Sequence, residues 1–183
     1  MKGFTRQDRW FSLCGLNCGL CPMRLGGHCP GCGGGEGNQS CTVARCSLVH
    51  GGVAYCFQCQ KFPCDKYDGA DAYDSFITHQ RQFADIAKAR AMGASAYGEE
   101  QARRAQLLEV LLEKHNDGRR KGFFILAANL LPIQDLEGAL AAAAEESDGG
   151  ASAQEVAAHL ADRLREAAAR AGVELRLRKA AAG

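Results

Sequence analysis

A mainly α-helical protein with little β structure, fronted by an N-terminal cysteine-rich metal-knuckle module, follows from three features of the 183-residue chain. All ten cysteines lie between Cys14 and Cys64. Beyond Ser75, apolar residues recur at intervals of three and four, the period of one helix face. A single run, Val173–Arg178, alternates with period two, as a strand does. We therefore expect a metal-binding module over residues 1–68, packed as one compact unit on a helical part, residues 69–183, that ends in a short strand.

The module comes first in the chain. The stretch Gly26–Cys41 has too few apolar residues to fold by burial, so another source must offset its chain entropy. A bound metal does so, because metal-binding free energy in such a segment is folding free energy. Two Cys-x-x-Cys pairs, Cys18/Cys21 and Cys29/Cys32, suit one closed tetrahedral shell of four thiolates, the usual structural zinc geometry. In Cys29-Pro30-Gly31-Cys32-Gly33, proline fixes the entry to the turn and the glycines accept positive φ. Cys56/Cys59 form a further knuckle, with Cys41 and Cys46 as the other ligands of a second site. This grouping leaves Cys14 and Cys64 over, and interleaved pairings give the same sequence. His28 and His50 are candidate substitute ligands, although a lone histidine beside a knuckle more often lies on the surface or donates a hydrogen bond to a ligand. The expected cofactor is zinc, about two ions per chain from two four-thiolate shells.

The competing reading is an iron–sulfur cluster. Cys14-x-x-x-Cys18-x-x-Cys21 can hold three irons of a [4Fe-4S] cubane, for electron transfer or sensing. Radical S-adenosylmethionine enzymes use the same spacing but need a βα barrel after it, and they usually carry an aromatic where Leu20 stands. Cys64, after Phe62-Pro63, could also open a helix and act as a reactive thiol, but its place in the cluster favours a metal ligand, the role expected of all ten cysteines, Cys14 included. A disulfide framework is disfavoured: MKGFTRQDRW has no apolar signal core, so a reducing, cytoplasmic setting is expected.

The helical part begins with a face spaced by Phe76, Phe83 and Ala87, flanked by Ile77 and Ile86. Gly93 and Gly98 bracket a break. Ala102, Ala105, Leu108 and Leu112 define a helix ending near His115, before the turn Asn116-Asp117-Gly118. Phe123–Leu126 reads as a buried helix or a strand. Pro132 opens a helix through Ala144, and Glu145–Ser152 reads as a loop. Val156, Leu160, Leu164 and Ala168 mark the last helix, with Gly172 as its C-cap.

Composition narrows the function classes. The chain is 46% hydrophobic and 23% charged, with net charge +1 from 22 basic and 21 acidic residues, so bulk charge favours neither nucleic acid nor membrane. Arg119-Arg120-Lys121 and Arg176, Arg178 and Lys179 would form an anion patch only if the two segments met; a solvated face is the expected reading. No apolar run approaches the roughly 18 residues that span a bilayer. No constellation of side chains names a reaction.

Cys14-Gly15-Leu16-Asn17-Cys18-Gly19-Leu20-Cys21-Pro22, Cys29-Pro30-Gly31-Cys32 and Cys56-Phe57-Gln58-Cys59-Gln60-Lys61-Phe62-Pro63-Cys64 resemble the prokaryotic domain-of-unknown-function family 3795. Gly118–Phe124, Asn129-Leu130-Leu131 and Val173–Lys179 are similar to its later blocks, and the Gly33–Gly37 loop departs from it. The resemblance implies a small cytosolic metal-binding protein without an established reaction. The expected role is a binding or scaffold module whose zinc ions fix a surface for a protein partner.

Overall fold

The structure, a computed structural model, describes residues 3–35 and 41–180. The end of the Gly33–Gly37 loop lies outside the described residues. Among the described residues helices account for all the regular structure: α1 (Pro22–Leu25), α2 (Thr42–Val49), α3 (Gln82–Met92), α4 (Ala94–Lys114), α5 (Lys121–Leu130), α6 (Ile133–Asp148) and α7 (Ala153–Ala171), with short 3₁₀ turns between. The chain divides into two compact units, Met1–Ala102 with Arg178–Gly183, and Arg103–Leu177. The division falls inside α4 rather than at residue 68.

In the second unit α6 and α7 pack along one another and α5 touches both. Leu136, Ala139 and Ala143 of α6 and Val156, Ala157, Leu160, Ala161, Leu164 and Ala168 of α7 are buried. Alternating alanine and leucine lets the helix backbones approach closely while the leucines fill the seam. Phe123–Leu126 belongs to α5, whose residues Phe124–Leu130 are all buried. Buried Arg104 of α4 reaches the end of that helix, its Nη1 donating to the carbonyls of Ala128 (2.8 Å) and Leu131 (2.7 Å). These carbonyls have no partner within α5, so the guanidinium satisfies them where water cannot.

Helix ends follow local chemistry. Ser152 caps α7 in a reciprocal box: its Oγ accepts from the Glu155 amide at 3.3 Å, and Glu155 Oε2 accepts from the Ser152 amide at 3.0 Å. Gly172, at φ +64°, ends the helix in the left-handed conformation. Helix α6 runs on through Glu145–Asp148, since glutamates sustain a helix, and it stops only at Gly149-Gly150. Gly93 separates α3 from α4, whereas Gly98 sits within α4.

Two further expectations are corrected, beyond the loop expected at Glu145–Ser152 and the break expected at Gly98. Val173–Arg178 is not a strand, and no strand occurs among the described residues. Its alternation meets no neighbouring ladder, and a lone strand leaves its backbone groups unpaired. The segment is instead tied down at one end: the Asp74 amide donates to the Arg178 carbonyl at 2.9 Å, and the Arg178 amide donates to Asp74 Oδ2 at 2.7 Å. The second correction concerns α3. Phe76 precedes that helix, and both Phe76 and Phe83 are exposed. Its buried face is Gln82, Asp85, Ile86 and Ala89, half of it polar.

Candidate metal centre

The first cysteine loop is a tight turn closed by Ser12. The Ser12 amide donates to the Leu16 carbonyl at 2.8 Å, and the Leu16 amide donates to Ser12 Oγ at 2.8 Å. The same Oγ stands 3.2 Å from Cys14 Sγ. Gly15, at φ +91°, turns the chain where a Cβ would run into Ile86 of α3. Cys18–Leu20 is a single 3₁₀ turn, and Pro22 opens α1 directly after Cys21. Backbone amides face two sulfurs of the next block: Leu13 N–H donates to Cys32 Sγ and Gly31 N–H to Cys29 Sγ, each at 3.4 Å. Gly31 and Gly33 take positive φ, as this knuckle requires.

The polar face of α3 holds this loop from behind. Gln82 Nε2 donates to the Cys14 carbonyl at 2.7 Å, and Asn17 Nδ2 donates to the buried Asp85 carboxylate at 2.9 Å. Tyr97 Oη donates to Asn17 Oδ1 at 3.1 Å. Arg6 ties the segments together, donating to the Ala54 carbonyl from Nε (2.9 Å) and to the Phe11 carbonyl from Nη1 (3.0 Å). The Cys56 amide donates to the Leu13 carbonyl at 2.9 Å, joining the last cysteine block to the first.

The sulfurs sort into two groups. Cys14, Cys18, Cys21, Cys29, Cys32 and Cys41 line one cavity of about 340 Å³, with His28 at its wall. Cys46, Cys56, Cys59 and Cys64 line another of about 30 Å³, together with His50 and Tyr67. The pairs Cys18/Cys21 and Cys29/Cys32 therefore face one cavity. Cys41 joins them rather than Cys46, and the two cysteines that spacing left over complete the groups, Cys14 in the first and Cys64 in the second. Cys64 precedes a single 3₁₀ turn, Asp65–Tyr67, not a helix. His50 Nδ1 approaches Cys46 Sγ at 3.4 Å and the Cys46 carbonyl at 2.9 Å.

None of the ten cysteines is in a disulfide. In the arrangement seen, no three His, Cys, Asp or Glu side chains among the described residues converge closely enough to share an ion. The sulfurs ring their cavities without closing a shell. Burial pushes the Cys14 thiol up to about 11, aided by Cys32 and Cys41 and opposed by Ser12. Burial also raises Cys18, with Cys14, Cys32 and Cys21 adding repulsion. Cys56 is raised to about 11 by burial, against the Tyr67 hydroxyl and with Cys64, Cys46 and Cys59. Thiols this crowded resist joint ionisation, and a cation among them removes the repulsion. The donors about the cavities are thiols with His28 and His50 among them, a set that suits zinc or iron and not hard ions such as magnesium.

In the basic segments Arg120 pairs with Asp117 at 2.5 Å, Arg176 with Glu174 at 2.7 Å and Arg178 with Asp74 at 3.1 Å. No helix among the described residues is long and apolar enough to cross a membrane. Gln82, Asp85 and Tyr97 support the first cysteine loop but carry no ligand spacing, and nothing in the local sequence pattern singles them out. No protein-family model, curated protein or solved structure matches this chain.

Proposed function

We propose that this chain is a thiolate metal-binding protein whose N-terminal unit is held by structural zinc and acts as a binding or scaffold module for a protein partner. The supporting observation is the sorting of ten reduced cysteines into two groups about two cavities. Cys46, Cys56, Cys59 and Cys64 would hold one zinc, since four thiolates make a closed tetrahedral shell and the small cavity suits a single ion. Four of the six sulfurs that line the larger cavity would hold the second, the pairs Cys18/Cys21 and Cys29/Cys32 forming the shell, with Cys14 and Cys41 beside them. Zinc in such shells supplies folding free energy and no reaction. The setting expected for these thiols is the reducing cytoplasm. Resemblance to family 3795 agrees with this role.

A second reading has its own observation. The first cavity is about 340 Å³ and carries the Cys14/Cys18/Cys21 spacing, room and ligands for a polynuclear iron–sulfur centre rather than one ion. Anaerobic purification followed by metal analysis, acid-labile sulfide and visible absorption separates the two. Colourless protein with about two zinc ions per chain supports the zinc reading. Brown, sulfide-containing protein replaces it with an iron–sulfur redox or sensor protein. Protein free of both removes the proposal.

A further inference from the structure

Tyr67 closes the turn that starts at Cys64, its amide donating to the Cys64 carbonyl at 2.8 Å. The residue is 5% exposed. Phe62 packs edge-on against its ring at 4.9 Å between centroids, and Phe83 tilts against it at 5.8 Å. The ring is therefore fixed, and with it the direction of the hydroxyl. That hydroxyl is buried without a hydrogen bond of good geometry. Its surroundings are sulfur: Tyr67 lines the cavity of Cys46, Cys56, Cys59 and Cys64, and Cys56 packs against the cluster to which Tyr67 belongs.

A buried phenol without a partner is rare, because the lost hydration is not replaced. A protonated thiol is a weak acceptor, whereas a thiolate accepts a charge-assisted hydrogen bond. The hydroxyl is thus orphaned beside a thiol and satisfied beside a thiolate. We propose that Tyr67 is the positioning residue of the four-sulfur centre, donating its phenol proton in a hydrogen bond to the Cys56 sulfur when a soft divalent cation holds that sulfur as thiolate. The inference rests on the zinc reading of this centre. No proton is transferred: the O–H stays on tyrosine, aims the sulfur at the ion and withdraws charge from it.

The test uses the full chain, purified without oxygen and loaded with zinc or cobalt(II). Cobalt reports thiolate bonding through sulfur-to-metal charge-transfer absorption, and a chromophoric chelator reports zinc affinity. Tyr67→Phe should weaken zinc binding about 10-fold or more, the usual effect of removing an outer-shell partner, and shift the charge-transfer band. Phe62→Leu, which loosens the same ring packing but keeps the donor, should leave the band in place. In the wild type, zinc loading should red-shift a tyrosine band in the near-ultraviolet difference spectrum, so the test does not depend on the variant folding. Unchanged affinity and band in Tyr67→Phe, equal effects of the two substitutions, or no tyrosine band in the wild type overturns the Tyr67 role while leaving the zinc centre standing. A wild type that binds neither zinc nor cobalt removes both.

Discussion

Asp74 shows how a single side chain secures the cysteine-bearing unit. Its carboxylate is fully buried and accepts from the amides of His79 at 2.6 Å and Arg178 at 2.7 Å, besides pairing with the Arg178 guanidinium. Burial alone would raise its pKa, but these donors outweigh it and hold the carboxyl below the ordinary value of 3.8. A depressed acid contributes stability above its unfolded pKa and loses it as pH falls through the folded one. Asp74→Asn should therefore destabilise by about 1–3 kcal/mol near neutral pH, the range for hydrogen bonds to a charged group. The gap to wild type should close below about pH 4, where the unfolded carboxyl protonates. Urea unfolding of both proteins across pH checks this; a gap that does not narrow as the pH falls counts against it. Gly15 makes a second test. Alanine there meets both a left-handed φ and the buried Ile86, so Gly15→Ala should lower stability by about 1–3 kcal/mol. An unchanged melting curve would show that the loop has room.

Among the helices, the strongest expectations concern their ends. Ser152→Ala removes the box that starts α7 and should destabilise by about 1 kcal/mol, read by thermal melting. Arg104→Ala strands the Ala128 and Leu131 carbonyls inside the second unit, and a larger loss of about 2–3 kcal/mol should follow. If it melts like wild type, the guanidinium is dispensable to α5. What the sequence foretold among these elements was the periodic part. The last helix and its Gly172 cap were plain because leucines and alanines repeat on one face and a glycine stops them. The buried face of α3 is mixed: Ile86 and Ala89 join a core with Phe11, Tyr55, Tyr67 and Tyr97, whereas Gln82 and Asp85 turn inward to hold the Cys14–Asn17 loop and Phe83 stays outside. Hydrophobic period misplaces a face whose buried positions are half polar. The expected strand at Val173–Arg178 had the right alternation and no partner, which no local pattern can reveal.

Taken whole, the chain has a helical unit with a leucine and alanine core and a cysteine-bearing unit with two smaller apolar clusters of its own, one around Phe11, Tyr55 and Tyr97 and one around Phe4 and Leu13. The ten sulfurs were visible as candidate ligands from their clustering. Their division into six and four was not, because Cys14, Cys41 and Cys64 join their groups through tertiary contacts. The buried leucines and alanines of α5, α6 and α7 need no ion, so these helices should keep their circular dichroism when a chelator strips the chain, while the first unit becomes sensitive to protease. Metal content per chain of anaerobically purified wild type and of Cys56→Ser and Cys59→Ser, followed through chelation, probes the thiolate role most directly. The account requires bound zinc or iron in the wild type, less of it in each variant, and loss of structure in the first unit as the metal leaves. A wild-type chain free of metal whose first unit still unfolds cooperatively would mean that these sulfurs hold nothing.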